Sequence, residues 1–425
     1  MIRRRPLPSL VWFVSALFVG GSFTLGIGQA GAQTHHASAT TPDTRPQPTR
    51  HIFASHHYHI HTDLTRAETV PFGRHMDAVY EAYVRRFAAF TPKRPEPMPL
   101  YLFRTEAEYH GFLLDMGIEA RHSGGMFFVN HRRRGLATFI EGQSLSEVYA
   151  VLQHEGFHQF AWKYLGADLP TWVNEGLAQY FEDAPLVNGR LVVGNTDRAR
   201  LARVRAALRS GETLPLGTLF ALSEEAWADA VHHDESHSGL LYAQSWSAVY
   251  FLIHGEDGRY RSAFQQFLHR VNEGVPGDRA FADAFGRNPQ SLQRRWASYV
   301  EGMEAPALSA AADGLEFLAI AMTYYDQQGW PVPDDLDTFE TQLRKMGFAI
   351  RRVEQGVETI VSAKDVDVFR FSINRLNADD RPFELLAPSR NDLPPRVVAR
   401  GLVPEPSIEW SRQTDGSLKH AVVYR

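Results

Sequence analysis

Two histidines and a glutamate that could share one metal ion lie in residues 145–182. His154, Glu155 and His158 form an H-E-x-x-H motif, and Glu175 follows in a second apolar segment. On a helix, residues four apart lie on one face, so the two imidazoles can point at a common atom. Zinc fits this arrangement, because catalytic zinc sites use roughly three protein ligands and keep a position for water. Glu155, beside the first ligand, would act on that water as the general base.

The chemistry requires the motif segment to be helical. Ser144 and Glu147 stand in capping-box register, apolar residues recur at helical spacing after them, and Gly166 lies where a helix commonly ends. These signals predict a helix that carries both imidazoles. An H-E-x-x-H string also arises by chance in a His-rich chain, so the motif needs support from a second segment.

That support comes from residues 170–181. Pro170 and Thr171 are good helix-start residues, and the segment Trp172 to Phe181 has an apolar face with Glu175 near its start. A carboxylate on an apolar face is costly to bury without a cation, and a metal ion would remove that cost. We therefore expect zinc at these residues rather than a purely structural pair of helices.

The second segment also carries a resemblance. Its sequence W-V-N-E-G-L-A-Q-Y, Trp172 to Tyr180, resembles the W-L-N-E-G-F-A-x-Y signature of the aminopeptidase-type gluzincins, metallopeptidases that hold zinc with two His and one Glu. The pairing of H-E-x-x-H-Q with P-x-W-x-N-E-G-L-A is similar to a peptidase-MA-like family of secreted proteins without assigned function. The resemblance covers Tyr58 to Met303 in layout and is motif-strong from His154 to Glu182.

The resemblance implies a fold and a set of roles. The fold is α+β and zincin-like, with a mixed sheet that has an edge strand, a metal helix and a mostly helical second half. The zinc ligands are His154, His158 and Glu175, and Glu155 is the base. Sixteen residues separate His158 from Glu175, slightly fewer than in those families, which predicts a short connection at Gly166 to Leu169.

Two apolar runs before the motif helix, Met126 to Val129 and Leu136 to Ile140, predict a hairpin. In zincin-type sites such an edge strand pairs with an extended substrate. Phe127 stands where aminopeptidase-type gluzincins carry the Glu of a G-x-M-E-N string, which holds the substrate's free amino end. The resemblance thus implies that strand pairing is kept and amino-end recognition is lost. Alternatively, Gly124 and Gly125 simply form a turn before a buried strand.

Tyr242 begins a strong helical pattern after the metal-binding segments. In gluzincins a Tyr or His from a later helix donates a hydrogen bond to the oxyanion of the tetrahedral intermediate. The Y-A-Q-S-W context of Tyr242 and its distance in sequence from Glu175 resemble that arrangement. A core tyrosine on an apolar stripe explains the same pattern, and the sequence leaves both interpretations open.

Composition excludes several other kinds of site. The formal net charge is -5 at pH 7, which gives no reason to expect a nucleic acid partner. Cysteine is absent, which excludes disulfides, zinc–cysteine sites and thiol catalysis. The expected partner is a peptide or protein substrate, and the sequence does not indicate an oligomeric state.

Residues 1–32 are typical of a secretory signal, with three arginines at 3–5, an apolar run and a cleavage site after Ala32. We therefore expect a secreted or periplasmic protein. The apolar run is nearly long enough to span a bilayer, so a membrane would be a partner only if the signal stays uncleaved. Residues 33–50, rich in Thr, Pro, Ala and His, predict a disordered linker.

The remaining chain divides into three predicted parts. Residues 51–143 form the N-terminal α/β part of the metallopeptidase, 144–304 the helical part with the zinc site, and 305–425 a small C-terminal α+β domain of unknown role. In the last part we predict strands over Phe348 to Val353, Thr359 to Val361, Val366 to Ile373 and His420 to Tyr424.

Two further groups of histidines could bind metal. The first is a loose cluster of His35, His36 and the histidines at 51–61. His59 and His61 alternate with Tyr58, Ile60 and Thr62 as in a strand, so we expect their imidazoles on its other face. Those at 232–237 lack helical or hairpin spacing, and we expect a surface loop there.

The sequence as a whole predicts a secreted, zinc-dependent hydrolase that cleaves peptide bonds. Zinc would activate water, Glu155 would move its proton, and Tyr242 is the candidate for the oxyanion. The alternatives are a non-catalytic, zinc-stabilised binding module of the cell envelope and a structural envelope protein without metal. The intact Glu155 disfavours the binding module, which would not need a base.

Overall fold

The computed structural model describes residues 50–424 with gaps at 93, 120–122, 131–132, 167, 234, 287, 305, 355–356, 372–382 and 414–415. The predicted signal over 1–32 and the predicted linker, except Arg50, lie outside the described residues. Across the described part the fold is α+β with a mostly helical middle, which confirms the predicted fold class.

A mixed five-stranded sheet forms the first part of the chain. Its order is β1-β2-β3-β5-β4, with β1–β2 and β4–β5 antiparallel and the two other pairs parallel. The predicted hairpin is therefore confirmed, and β4 lies at the edge. The elements are β1 (His51–Ala54), β2 (Tyr58–Thr62), α1 (Arg66–Arg86), β3 (Met98–Phe103), α2 (Glu106–Leu114), β4 (Gly125–Val129) and β5 (Arg134–Phe139).

Two helices in sequence carry the predicted site, α3 (Leu145–Tyr164) and α4 (Thr171–Glu182). The predicted capping box is present: Ser144 N donates to Glu147 Oε2 at 2.6 Å, and Glu147 N donates to Ser144 Oγ at 3.2 Å. After α3 the backbone reverses at Gly166, which has a φ of 110°. Because these polar groups satisfy the first amides, helix α3 starts at a fixed residue and its two histidines have a fixed direction.

Seven further helices make up the middle of the chain. They are α5 (Arg198–Ser210), α6 (Leu216–Ala221), α7 (Glu224–His233), α8 (Glu235–Gly258), α9 (Arg261–Asn272), α10 (Gly277–Phe285) and α11 (Pro289–Gly302). Helix α8 departs from helical geometry at 255–257. One hydrophobic core joins the sheet to these helices and includes Tyr58, Phe157, Trp172, Trp246 and Trp296.

Close backbone packing brings the neighbours of the motif helix against it. A Cβ atom on Gly125 of β4 would lie 2.3 Å from Val151 Cγ1 of α3, and one on Gly176 of α4 would lie 2.5 Å from the carbonyl oxygen of Ser245 on α8. Both distances are well inside van der Waals contact. Glycine is therefore required at these two positions for β4 to approach α3 and for α8 to approach α4.

The C-terminal part has a hydrophobic core of its own around α12. Its sheet has the order β10-β11-β12-β13-β6-β7, and β13 pairs in parallel with β6, in the hairpin that directly follows α4. The elements are β6 (Leu186–Val187), β7 (Arg190–Leu191), α12 (Ala307–Gln328), α13 (Leu336–Met346), β8 (Ala349–Glu354), β9 (Val357–Ser362), β10 (Phe383–Leu386), β11 (Arg396–Ala399), β12 (Pro406–Arg412) and β13 (Leu418–Tyr424).

Two local predictions are wrong. The strand predicted over Val366 to Ile373 is a 3-10 helix at Val366–Phe369, and residues 372 and 373 lie outside the described part. Alternating apolar residues indicate a face and do not distinguish a strand from a tight turn in so short a run. The surface loop predicted at 232–237 belongs to α7 and α8, apart from residue 234, which is not described. The missing helical spacing did not indicate a loop, because polar residues are tolerated on a helix.

Between residues 50 and 424, outside the gaps, no single helix is both long and apolar enough to cross a membrane. The helices α11 and α12 pass that test of length and composition only when taken together, and they are bent by 52° relative to each other.

A buried histidine connects α1 to the motif helix and makes stability depend on pH. His75 stacks on Tyr149 of α3, with ring centroids 3.9 Å apart, and burial lowers the pKa of its imidazole from 6.5 to about 4. Between these two pH values the unfolded chain binds the proton more readily, so folding stability is retained above pH 6.5 and falls as pH drops toward 4. The full contribution of the neutral His75 to the free energy of unfolding is about 3 kcal/mol.

We predict that His75→Phe, which keeps an aromatic ring but cannot be protonated, makes the free energy of unfolding less sensitive to acid by about 3 kcal/mol between pH 7 and 4. Urea unfolding with a chelator present measures this without a contribution from metal loss. The same substitution at the exposed His59 is the control. Equal acid sensitivity of wild type and His75→Phe would contradict the assignment.

Candidate metal centre

The three predicted ligands converge on one point. His154 and His158 lie one turn apart on α3, and Glu175 is the fifth residue of α4, just after its first turn. Glu175 Oε2 is 3.4 Å from His154 Nε2 and 3.5 Å from His158 Nε2, and the three donor atoms all lie within 4.8 Å of one another. All three side chains are buried. In the described residues this is the one group of His, Asp and Glu side chains with such geometry.

The donor set fits a zinc ion. Donor atoms held tetrahedrally at about 2.0–2.1 Å from zinc lie about 3.3–3.4 Å apart, close to the two observed nitrogen–oxygen distances. Both ring nitrogens of His158 are buried and have no hydrogen-bond partner among the described residues. Buried polar atoms are rarely left without a partner, so a metal ion that binds Nε2 explains one of them.

The electrostatics of the centre favour a positive charge there. Burial lowers the pKa of His154, but the carboxylates of Glu175 and Glu182 outweigh burial and raise that pKa to about 10. Burial raises the pKa of Glu175, but the charges of His158 and His154 outweigh it and hold that pKa below its ordinary value. These shifts show that the three side chains favour one positive charge between them. Either a proton shared by His154 and Glu175 or a metal ion bound there would supply it.

Glu155 stands next to His154 on α3 and accepts a hydrogen bond from the edge strand β4. Its Oε2 accepts a hydrogen bond from the backbone N–H of Phe127 in β4 at 2.7 Å. Its Oε1 is buried and has no partner among the described residues. Burial raises the pKa of Glu155 to about 7, against the opposing charges of His158 and His154. A carboxylate with a pKa near neutrality and one free oxygen can accept and return a proton.

A second glutamate, Glu182, orients the imidazole of His154, one of the three candidate ligands. Its Oε2 lies 2.8 Å from Nδ1 of His154, so it fixes the ring and leaves Nε2 to face Glu175. Its Oε1 lies 3.4 Å from Arg200, which also pairs with Asp183 and lies over the indole of Trp246. A carboxylate on the outer nitrogen of a metal-binding imidazole is a common support for such ligands.

Glu182 was not predicted from the sequence to be part of the site. The available signal was its position, seven residues and therefore about two helical turns after Glu175, which puts both carboxylates on one face of α4. Gln153 was also missed: its Nε2 donates to the carbonyls of Phe181, Glu182 and Ala184 at 2.6, 3.0 and 3.0 Å. These contacts fix the C-terminal end of α4 against α3.

Tyr242 lies on α8, which packs directly on α4. Burial and the charge of Glu175 raise the pKa of Tyr242 well above its ordinary value, and Glu155 contributes in the same direction. Its ring packs edge-on against the indole of Trp227, with ring centroids 5.4 Å apart. Both a hydrogen-bond donor to substrate and a core tyrosine remain consistent with this position.

The described histidines at 51–61 are not part of this centre. On β2, His59 is exposed and His61 half-buried, while Tyr58, Ile60 and Thr62 are buried, which confirms the predicted strand face. His61 stacks on Tyr101 instead. His35 and His36 lie outside the described residues, as does Asp234.

The comparison with known proteins places this centre in one family segment. Residues 148–276 match a family described as "Protein of unknown function (DUF1570)". The matched segment covers under a third of the chain and contains both histidines, Glu175 and Tyr242. No curated protein matches the chain. The match assigns no activity to these residues.

We predict that Glu182→Gln lowers zinc affinity by about 10–100-fold, because the amide cannot supply the charge that orients and polarises His154. Competition with a fluorescent chelator measures this affinity. Glu212→Gln, at an exposed glutamate, is the matched control and should bind zinc like the wild type. Unchanged affinity in Glu182→Gln would show that Glu182 has no role in holding the ligand.

Proposed function

We propose that the protein is a zinc-dependent metallopeptidase of the gluzincin type that acts outside the cytoplasm. The observation that carries the proposal is the position of Glu155. A structural zinc site is closed by four protein ligands and needs no base, whereas here three donors lie together and a second buried carboxylate, Glu155, stands next to His154 on α3 without belonging to that donor group. This arrangement favours hydrolysis over a zinc-stabilised binding module and over a structural protein without metal.

The roles of the residues follow from their contacts. His154, His158 and Glu175 hold the metal. Zinc, when bound there, supplies a Lewis acid that acidifies water and polarises a carbonyl. Glu155 takes the proton of the attacking water at Oε1 and returns it to the leaving amine, while the Phe127 N–H keeps the carboxylate in place. Tyr242 donates its phenolic hydrogen to the oxyanion.

The edge strand β4 supports an extended substrate. The N–H of Phe127 points away from β5, toward Glu155, and strand alternation gives Gly125 and Val129 the same direction. A peptide added at this edge would lie on the side of β4 that faces Glu155. Strand β4 has Phe127 where an acidic side chain would be needed to hold a free amino end, and none of its other residues is acidic. This supports cleavage within a chain rather than recognition of a free amino end.

We expect Glu155→Gln to lower peptide hydrolysis by about 10²–10⁴-fold and to keep zinc, since Glu155 moves a proton and is not a ligand. Cleavage of a mixed peptide library, followed by mass spectrometry, measures the activity, and elemental analysis measures the zinc. Equal cleavage by both proteins, or none by either, would refute the proposed enzyme.

For Tyr242→Phe we expect kcat to fall by about 10²-fold with little change in KM, because the hydroxyl would act only in the transition state. The ring is kept, so packing on Trp227 is preserved. A core role predicts the opposite pattern, with a lower melting temperature and an unaltered kcat.

A further inference from the structure

Two arginines without an ionic partner lie at the ends of α1, α8 and α9. Arg86 is half-buried in the last turn of α1, and Arg261 is the exposed first residue of α9. The Arg261 guanidinium turns back toward α8, where its Nε and Nη2 donate to the carbonyl oxygen of Ile253 at 3.4 and 3.3 Å. In the part of the chain that the structure describes, neither arginine forms an ion pair with a carboxylate.

The arginines next to them in sequence are paired. Arg85 lies 3.6 Å from a glutamate four residues earlier on α1, and Arg259 lies 2.9 Å from Glu256. A guanidinium is always charged in proteins. Arg86 and Arg261 therefore leave two positive charges without a counter-charge, whereas their neighbours are neutralised.

A phenol–imidazole pair lies beside the two arginines. Tyr180, near the end of α4, is buried, and its hydroxyl lies 3.0 Å from Nε2 of the half-buried His254 on α8. The imidazole packs on the ring of Tyr250, with centroids 4.5 Å apart, and the Tyr250 hydroxyl donates to the carbonyl oxygen of Gly194 at 3.0 Å. These contacts hold the imidazole in one orientation.

Packing of α1 on α4 brings Arg86 to this pair. The rings of Tyr83 and Phe87, on either side of Arg86 in the sequence, lie 4.8 and 6.2 Å from the ring of Phe181. Phe181 directly follows Tyr180 on α4. The last turn of α1 and the last turn of α4 are therefore in contact.

The four polar groups act on one another electrostatically. Burial lowers the pKa of His254 to about 4, and the charges of Arg86 and Arg261 act in the same direction. Burial raises the pKa of Tyr180 to about 12, and the same two charges oppose that rise. Near pH 7 the imidazole is therefore neutral and the phenol protonated. In either tautomer one hydrogen of the pair forms the Tyr180–His254 bond, and the other remains to be donated.

The helix ends account for part of this arrangement, because an arginine near a helix C-terminus is attracted to the last carbonyl groups. They do not account for two guanidiniums that act on each other without a carboxylate between them, since like charges repel. An anion removes that repulsion, and the guanidinium fork matches the oxygens of a phosphate. A dianion neutralises both charges, whereas a carboxylate neutralises one.

We propose that Arg86, Arg261 and the Tyr180–His254 pair form a binding site for a phosphate dianion, either free or as the phosphoryl group of a larger molecule. The guanidiniums donate to its oxygens, and the pair donates its remaining hydrogen. The exposed Arg261 lies at the entrance and the buried Tyr180 hydroxyl at the floor. None of the four residues belongs to the metal-binding group, so the site is independent of the proposed function.

Calorimetric titration of the purified protein tests this at about pH 7.5, where phosphate is largely a dianion. At constant ionic strength, inorganic phosphate should bind with a Kd below about 1 mM, and acetate, a monoanion, at least about tenfold more weakly. Glycerol 3-phosphate distinguishes the sources. Binding at least as tight as that of inorganic phosphate identifies a phosphoryl group of a larger molecule, and weaker binding identifies free phosphate.

Substitutions locate the binding. Arg86→Gln and Arg261→Gln should each weaken phosphate binding at least about tenfold, because each removes charge-assisted hydrogen bonds. Arg85→Gln and Arg259→Gln are the matched controls and should change it less than about twofold. Tyr180→Phe should weaken it about three- to tenfold. Melting curves without phosphate identify a variant that fails to fold, and Arg261→Gln, at an exposed side chain, then decides the result.

Three results would overturn the proposal. They are the absence of saturable phosphate binding, acetate binding as tight as phosphate binding, and phosphate binding that survives both Arg86→Gln and Arg261→Gln, as it would if phosphate bound at the metal centre. An equal loss of affinity in Arg85→Gln and Arg259→Gln would also overturn it, because a general effect of net charge would then explain the binding.

Discussion

The structure depends on the free-energy cost of placing the Glu175 carboxylate and two imidazoles in the interior of a helical core. A buried charge without a counter-charge is strongly destabilising, and the polar atoms of a half-satisfied site add to that cost. A divalent cation bound by all three side chains removes both penalties. Without an ion, the raised pKa of His154 lets its imidazolium balance the Glu175 carboxylate, so the centre holds a positive charge in either state.

Several contacts outside the ligands keep this arrangement in one geometry. Glu182 fixes the ring of His154, Arg200 neutralises Glu182, and Gln153 ties the end of α4 to α3. The β6–β7 hairpin starts a few residues after Glu182 and pairs with β13. The C-terminal sheet is therefore continuous with the segment that follows the outer support of the metal centre, which gives residues 305–425 a structural connection to the site.

The sequence predicted the parts of the site that depend on local spacing. The i,i+4 pair His154 and His158, the capping box at Ser144 and the helix around Glu175 are each encoded within a few residues, and the structure brings them together. Contacts that depend on which helices and strands become neighbours could not be predicted from the sequence. The Glu182–His154 hydrogen bond is one such contact, and the other is the hydrogen bond from Phe127 to Glu155.

The same distinction holds for the fold. The resemblance implied the α+β class, while the hairpin before α3 and the two helices that carry His154, His158 and Glu175 followed from periodicity and turn residues. The C-terminal sheet did not, because its strands are short and one of them pairs with a hairpin about 230 residues earlier in the chain. Val366–Phe369 shows the limit of periodicity in a run of four residues, where a 3-10 turn and a strand present similar apolar patterns.

The most direct measurement is an anomalous-scattering experiment on crystals of the protein grown with zinc, with data collected on both sides of the zinc absorption edge. We predict one strong peak per chain, within about 2.0–2.2 Å of His154 Nε2, His158 Nε2 and a Glu175 oxygen. A peak elsewhere, or no peak between these side chains in zinc-saturated protein, would contradict the central claim that the three residues hold a metal ion.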